Sequence, residues 1–167
     1  MLDKKFRQGD GLLVSYKEMV QHIADYILVD TSAEYEITVG TDSQNHSQTK
    51  MVEVIAVRRI GKGGIFFYHT DTVKIIKTLR DKIVDETSRS LENAKGLLDE
   101  IQLILIDKDV DIDKLNVNFV IHCDIGYKGR TQELITEIVS WVHSMGYECQ
   151  IKPDSYTASG IANKFSK

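Results

Sequence analysis

The chain has 167 residues, 42% of them hydrophobic, and a formal net charge of -4. This length predicts one domain spanning residues 1–167 around a single core. The mild acidity argues against tight, unassisted binding of nucleic acid, because phosphate neutralisation needs clustered Lys and Arg. Bound divalent cations would raise the electrostatic potential at an acidic site and so permit such binding. Two cysteines, Cys123 and Cys149, are too few for a disulfide framework and predict reduced thiols. Without a signal core or an apolar run of transmembrane length, we expect a cytoplasmic protein with no membrane partner.

The first half of the chain predicts one helix followed by three strands. Ser15 and Glu18 form a capping-box pattern that begins a helix at about 16–29, after an arm that is either ordered or frayed. Alternating apolar residues predict a strand over 35–41, which the polar residues from Asp42 onward should end. Further strands are predicted over 51–60 and 65–69, joined by a glycine-rich turn. The short connections favour an antiparallel meander, and residues 43–50 fit a hairpin tip better than a substrate-facing loop.

The second half of the chain alternates helices with strands. Apolar spacing predicts a long helix over 73–106, and a strand over 117–122 follows it. The remaining elements are a helix over 131–144, a strand over 148–152 and a last helix over 155–165. This order predicts an α/β fold with a mixed five-stranded sheet, in which an antiparallel three-strand meander and two parallel strands are flanked by helices.

Three acidic residues occupy positions that are unfavourable for uncompensated charge. Asp42 and Asp124 directly follow predicted strands, while Glu86 lies on the long helix about 20° from the apolar Leu79, on a face from which Asp85 points away. Buried carboxylates are costly unless a cation neutralises them. Ordinary alternatives stay open for each: a polar turn for Asp42, a solvated edge for Glu86, and a turn or helix start for Asp124.

Three segments carry a resemblance to a known family. Residues 40–44 (GTDSQ), 122–126 (HCDIG) and 152–164 (KPDSYTASGIANK) resemble the YkuK family of predicted ribonuclease H-like nucleases, over about residues 12–167. The resemblance implies a ribonuclease H-like fold in which Asp42, Glu86 and Asp124 are catalytic carboxylates that bind Mg²⁺ or Mn²⁺. It also implies nucleic acid as the partner.

The wider superfamily usually has a fourth carboxylate in or near its final helix. Here the candidates are Asp154, which fits a helix N-cap equally well, and Asn163, whose uncharged amide is a weaker Mg²⁺ ligand. Candidate phosphate contacts near the same edge are Lys152, Lys164, Lys128 and Arg130, and any one of them also fits a solvated surface cation.

Two functions remain open at this stage. The first is a metal-dependent nuclease, a hydrolase that cleaves phosphodiester bonds of RNA, an RNA/DNA hybrid or structured DNA. The alternative is a non-catalytic nucleic-acid-binding or assembly module with a degenerate site. Two other kinds of metal site are disfavoured by the sequence. A calcium loop over 107–118 would have Ile112 at its glycine position. A zinc site is disfavoured because His122 and Cys123 are adjacent on a strand and face opposite ways.

Overall fold

A computed structural model describes residues 3–153 of the chain. Its strands are β1 (Lys5–Gln8), β2 (Leu13–Ser15), β3 (Glu34–Asn45), β4 (Thr49–Arg59), β5 (Gly64–Val73), β6 (Asn116–His122) and β7 (Glu148–Gln150). Its helices are α1 (Tyr16–Leu28), α2 (Leu79–Asp107) and α3 (Ile135–Ser144), with short 3-10 helices at Ile112–Lys114 and Gln132–Leu134. None of the described helices is long and apolar enough to cross a bilayer. The predicted last helix over 155–165 lies outside the described residues.

All seven strands form one mixed sheet in the order β2-β1-β5-β4-β3-β6-β7. Strands β3, β4 and β5 are the predicted antiparallel meander, and β6 and β7 continue the sheet in parallel with β3. The α/β class and the mixed sheet are therefore confirmed, with seven strands in place of the predicted five.

The two additional strands come from the N-terminal arm. Strand β1 pairs with the edge of β5, and β2 folds back on β1. Phe6 in β1 is fully buried, so the arm contributes to the core. Strands of four and three residues show too little alternation to be predicted, and their pairing covers an edge of β5 that would otherwise be exposed.

Strands β3 and β4 form a longer hairpin than the sequence predicts. The antiparallel ladder continues through Asp42, which pairs with Val52, as far as the pair Asn45 and Thr49. The prediction that the polar residues from Asp42 end the strand is wrong, because the β4 ladder satisfies the backbone there. Residues 43–50 do form the end of a hairpin, where the His46 N–H donates to the Gln48 carbonyl at 2.8 Å.

Helix boundaries also differ from the predicted ones. Helix α2 begins at Leu79 instead of residue 73, because β5 extends to Val73. The Thr78 side chain caps this helix by accepting from the Asp81 N–H at 3.1 Å. Helix α1 has the capping box that Ser15 and Glu18 predict. The helix predicted over 131–144 starts with a 3-10 turn, and β7 ends at Gln150 instead of residue 152.

Helix α2 is the element that connects the core to the candidate site. It packs mainly across β3 and also contacts α1. Its buried apolar residues, such as Leu97 and Ile101, join the same hydrophobic cluster as Ile37 and Val39 of β3. This packing fixes the helix over the centre of the sheet, so that its first turns lie near the end of β6.

Candidate metal centre

The structure brings Asp42, Glu86 and Asp124 together. One carboxylate oxygen from each lies within 4.8 Å of the others, and Glu86 is buried while the two aspartates are partly buried. Oxygens on opposite sides of one Mg²⁺ are about 4.2 Å apart, so small side-chain rotations would let one ion contact all three. Residues 82 positions apart in the chain thus converge on a space the size of a metal ion.

The parallel register between β3 and β6 explains why the two aspartates are neighbours. The last pair of this ladder is Gly40 with His122, so Asp42 and Asp124 each lie two residues beyond it. Strand β6 ends there, whereas β3 continues along β4. The side of β3 next to Asp42 is therefore open to the loop that carries Asp124, at the strand ends where ligands of α/β sheets usually bind.

Polar contacts between β3 and α2 set the position of Glu86. The Ser43 hydroxyl donates to Glu86 Oε2 at 3.3 Å, and the hydroxyls of Thr41 and Ser90 are 2.9 Å apart. Glu86 and Ser90 are one helical turn apart, so both contacts lie on the helix face that meets the sheet. The carboxylate of Glu86 consequently faces the strand that carries Asp42.

A buried ionic network holds the next turn of α2, and sequence reasoning missed it. Glu53 on β4 is fully buried, and its carboxylate accepts from Lys4 at 2.6 Å, Asn93 at 2.7 Å and Arg89 at 3.3 Å. Arg89 also donates to Asp85 at 2.7 Å, which directs Asp85 away from the acidic trio. The only sequence signal was a lone acid within the apolar run of β4.

The trio concentrates negative charge in a poorly hydrated place. Burial, and then the charge of Asp124, raise the pKa of Asp42 to about 6. Burial raises the pKa of Glu86 well above its ordinary value, and the charges of Asp42 and Asp124 add to this. The Ser43 N–H donates to Asp42 Oδ1 at 2.9 Å and partly offsets the increase. A bound divalent cation would relieve this repulsion, and an all-oxygen ligand set suits Mg²⁺ or Mn²⁺.

Lys152 is the predicted phosphate contact that the structure places at the trio. Its Nζ lies 2.7 Å from Asp124 Oδ1, and its backbone N–H donates to the Ile125 carbonyl at 2.8 Å. Gly126 makes room for it, since a Cβ there would come within 3.0 Å of the Lys152 Cβ. A larger residue at position 126 would push the Lys152 Cβ away by a few tenths of an ångström.

Two further predicted cations belong to the described part of the chain. Lys128 and Arg130 lie exposed on the loop after Asp124. Neither forms an ion pair with any residue in the 3–153 range. Three further predicted site residues lie outside the described part of the chain: Asp154, Asn163 and Lys164.

The two thiols lie close to this site. Cys149 Sγ on β7 is 3.6 Å from Cys123 Sγ, which directly precedes Asp124, and the two form no disulfide. The hydrogen bond with Cys149, and then burial, raise the pKa of the Cys123 thiol, which therefore stays protonated and acts as an apolar neighbour of the acidic cluster.

Comparison with known proteins agrees with this architecture. The chain is 35% identical over 158 residues to the uncharacterized protein YkuK of Bacillus subtilis (strain 168), covering 92% of each protein. No solved structure matches the chain significantly. The family model described as ribonuclease H-like matches residues 18–167. The chain belongs to the ribonuclease H-like family.

Proposed function

We propose that the protein is a metal-dependent nuclease that hydrolyses phosphodiester bonds of RNA, an RNA/DNA hybrid or structured DNA. The observation that carries this proposal is the convergence of three carboxylates from β3, α2 and the loop after β6 within 4.8 Å. Membership of the ribonuclease H-like family supports nucleic acid as the substrate class.

Asp42, Glu86 and Asp124 would hold Mg²⁺ or Mn²⁺. A divalent ion supplies Lewis-acid stabilisation of phosphoryl oxygens and makes water a better nucleophile at neutral pH. Asp42 would be the central ligand of this set, flanked by Glu86 from the helix and Asp124 from the loop. The protein contributes the fixed geometry: the β3–β6 register orients Asp124, and the Ser43 hydroxyl orients Glu86.

Cations around the trio would position the nucleic acid. Lys152 contacts Asp124, and a bound metal ion would compete for the same carboxylate and free the ammonium group for a phosphate. Lys128 and Arg130 on the adjoining loop would contact phosphates farther along the strand. We include Lys164 among the phosphate contacts, and Asp154 or Asn163 as the fourth metal ligand.

A non-catalytic nucleic-acid-binding or assembly module is the second candidate. The contact between Lys152 and Asp124 favours it, because an internal cation already neutralises part of the acidic cluster. Such a module would bind nucleic acid without requiring metal at the trio. The two candidates therefore differ in whether metal binding and cleavage depend on Asp42.

The test combines Mn²⁺ and Mg²⁺ titration with nuclease assays on the wild type and Asp42→Asn. The exposed Asp81→Asn on α2 is the matched control, since it removes the same charge outside the trio. We expect metal-dependent cleavage in the wild type and the control, and none in Asp42→Asn. Cleavage that survives Asp42→Asn would indicate another site or a contaminant, while absence of both metal binding and cleavage would favour the module.

A further inference from the structure

The loop that follows Asp124 projects a short exposed tip. The Gly126 N–H donates to the Thr131 hydroxyl at 3.1 Å and closes the loop at its base. Gly129 has a φ of +87°, a left-handed conformation that turns the chain within the tip. The loop therefore presents Tyr127, Lys128 and Arg130 together beside the acidic trio.

Tyr127 is exposed without a structural reason in the described fold. The residue is 70% exposed, and every other Phe, Tyr and Trp between residues 3 and 153 is buried or half-buried. Within that range it makes no ring contact, side-chain hydrogen bond or cation–π contact. Trp141, by comparison, is partly buried and packs against the core. An aromatic face open to solvent beside two cations has the composition of a single-strand nucleic-acid contact.

The position of Tyr127 also fits a contact next to the site of cleavage. It is three residues from Asp124, so its Cα lies within about 11 Å of that residue even if the chain is fully extended. The neighbouring Lys128 and Arg130 are exposed and unpaired within the described chain, and so are available to phosphates. A strand bound at the trio would therefore bring its adjacent nucleotides over this loop.

We propose that Tyr127 stacks on an unpaired base of the bound strand while Lys128 and Arg130 contact its phosphates, so that the preferred ligand is single-stranded nucleic acid. This inference rests on the proposed function and specifies its substrate class. A base within a duplex has both faces covered by its neighbours, whereas a base in a single strand can expose a face to an aromatic ring.

The experiment measures binding separately from cleavage, using the full chain. Fluorescence anisotropy would follow a labelled single-stranded RNA and the same sequence as an RNA/DNA hybrid, with Ca²⁺ in place of Mn²⁺. The variants are Tyr127→Ser, which removes the ring, and Tyr127→Phe, which keeps it. We expect Tyr127→Ser to weaken single-strand binding by about 5- to 150-fold with little effect on the hybrid, and Tyr127→Phe to match the wild type.

The inference is overturned if Tyr127→Ser binds the single strand as well as the wild type does, if it weakens both ligands equally, or if the wild type binds neither. The nuclease proposal has a separate readout, the dependence of cleavage on Asp42. Tyr127-dependent binding without cleavage would reject the nuclease and leave the stacking contact in place. Cleavage that requires Asp42 but is unaffected by Tyr127→Ser would support the nuclease and reject the stacking contact.

Discussion

Replacing Asp42 with Asn should stabilise the metal-free protein while abolishing its response to metal. Burial and the charge of Asp124 raise the pKa of Asp42 from 3.8 to about 6 in the folded state. An acid whose pKa is raised in the folded state lowers the free energy of unfolding at every pH at which the unfolded chain has already ionised it. The cost is absent below pH about 4, grows between pH 4 and 6, and is fully present above pH 6. Asn keeps the oxygen that accepts from the Ser43 N–H and removes the charge.

The size of the effect follows from the pKa difference. A pKa difference of 1 corresponds to about 1.4 kcal/mol, so the difference of about 2 at Asp42 limits the stabilisation by Asp42→Asn to about 3 kcal/mol. Structural relaxation and water at this partly buried group reduce it, and we expect a gain of about 1–3 kcal/mol. For a chain of this length, that raises the unfolding temperature by about 2–12 °C.

Thermal unfolding of the wild type, Asp42→Asn and the control Asp81→Asn, in chelator at pH 4 and pH 7.5, measures this effect. Asp42→Asn should unfold at a higher temperature than the wild type at pH 7.5, and the difference should shrink at pH 4. Added Mn²⁺ should stabilise the wild type and the control but not Asp42→Asn. If Asp42→Asn is less stable than the wild type at pH 7.5 without metal, then the reasoning from charge repulsion is wrong.

Three further predictions concern the same site. Mn²⁺ affinity, measured by calorimetry, should fall as the pH decreases through about 6, because Asp42 must lose its proton to bind metal; a flat profile from pH 5 to 8 would contradict this. Lys152→Met should raise Mn²⁺ affinity by about 2- to 5-fold, because the ammonium group competes for Asp124; unchanged or weaker binding would refute that competition. Glu53→Ala should lower the free energy of unfolding by about 3 kcal/mol in urea titrations, because it leaves the Arg89 network without its buried anion; a loss under 1 kcal/mol would show that the network contributes little.

The position of Asp42 and Asp124 at one edge of the sheet could be predicted, although the predicted end of β3 at Asp42 was wrong. Asp42 was expected to end its strand, yet β3 continues to Asn45. The site forms there because the neighbouring β6 ends at His122, which opens the flank of β3. Strand periodicity identifies each strand separately, but which strand ends first at the shared edge depends on the register between them.

Glu86 shows what helical geometry alone can establish. Its angle relative to Leu79 predicted the inward orientation that the structure has. The same geometry predicted that Asp85 is not part of the trio, and Asp85 instead accepts from Arg89. The partners of Glu53 could not be predicted in this way, because they come from the N-terminal arm and from α2. Contacts between residues distant in the chain depend on the finished packing and leave no local pattern.

The central claim is that Asp42, Glu86 and Asp124 jointly bind a divalent cation. Crystals of the full chain soaked in Mn²⁺, with data collected for anomalous scattering, test it most directly. The account predicts an anomalous peak about 2.2 Å from an oxygen of each of the three carboxylates, and no such peak in Asp42→Asn. A wild-type crystal with no peak among them, or with its strongest peak at other residues, would contradict the account.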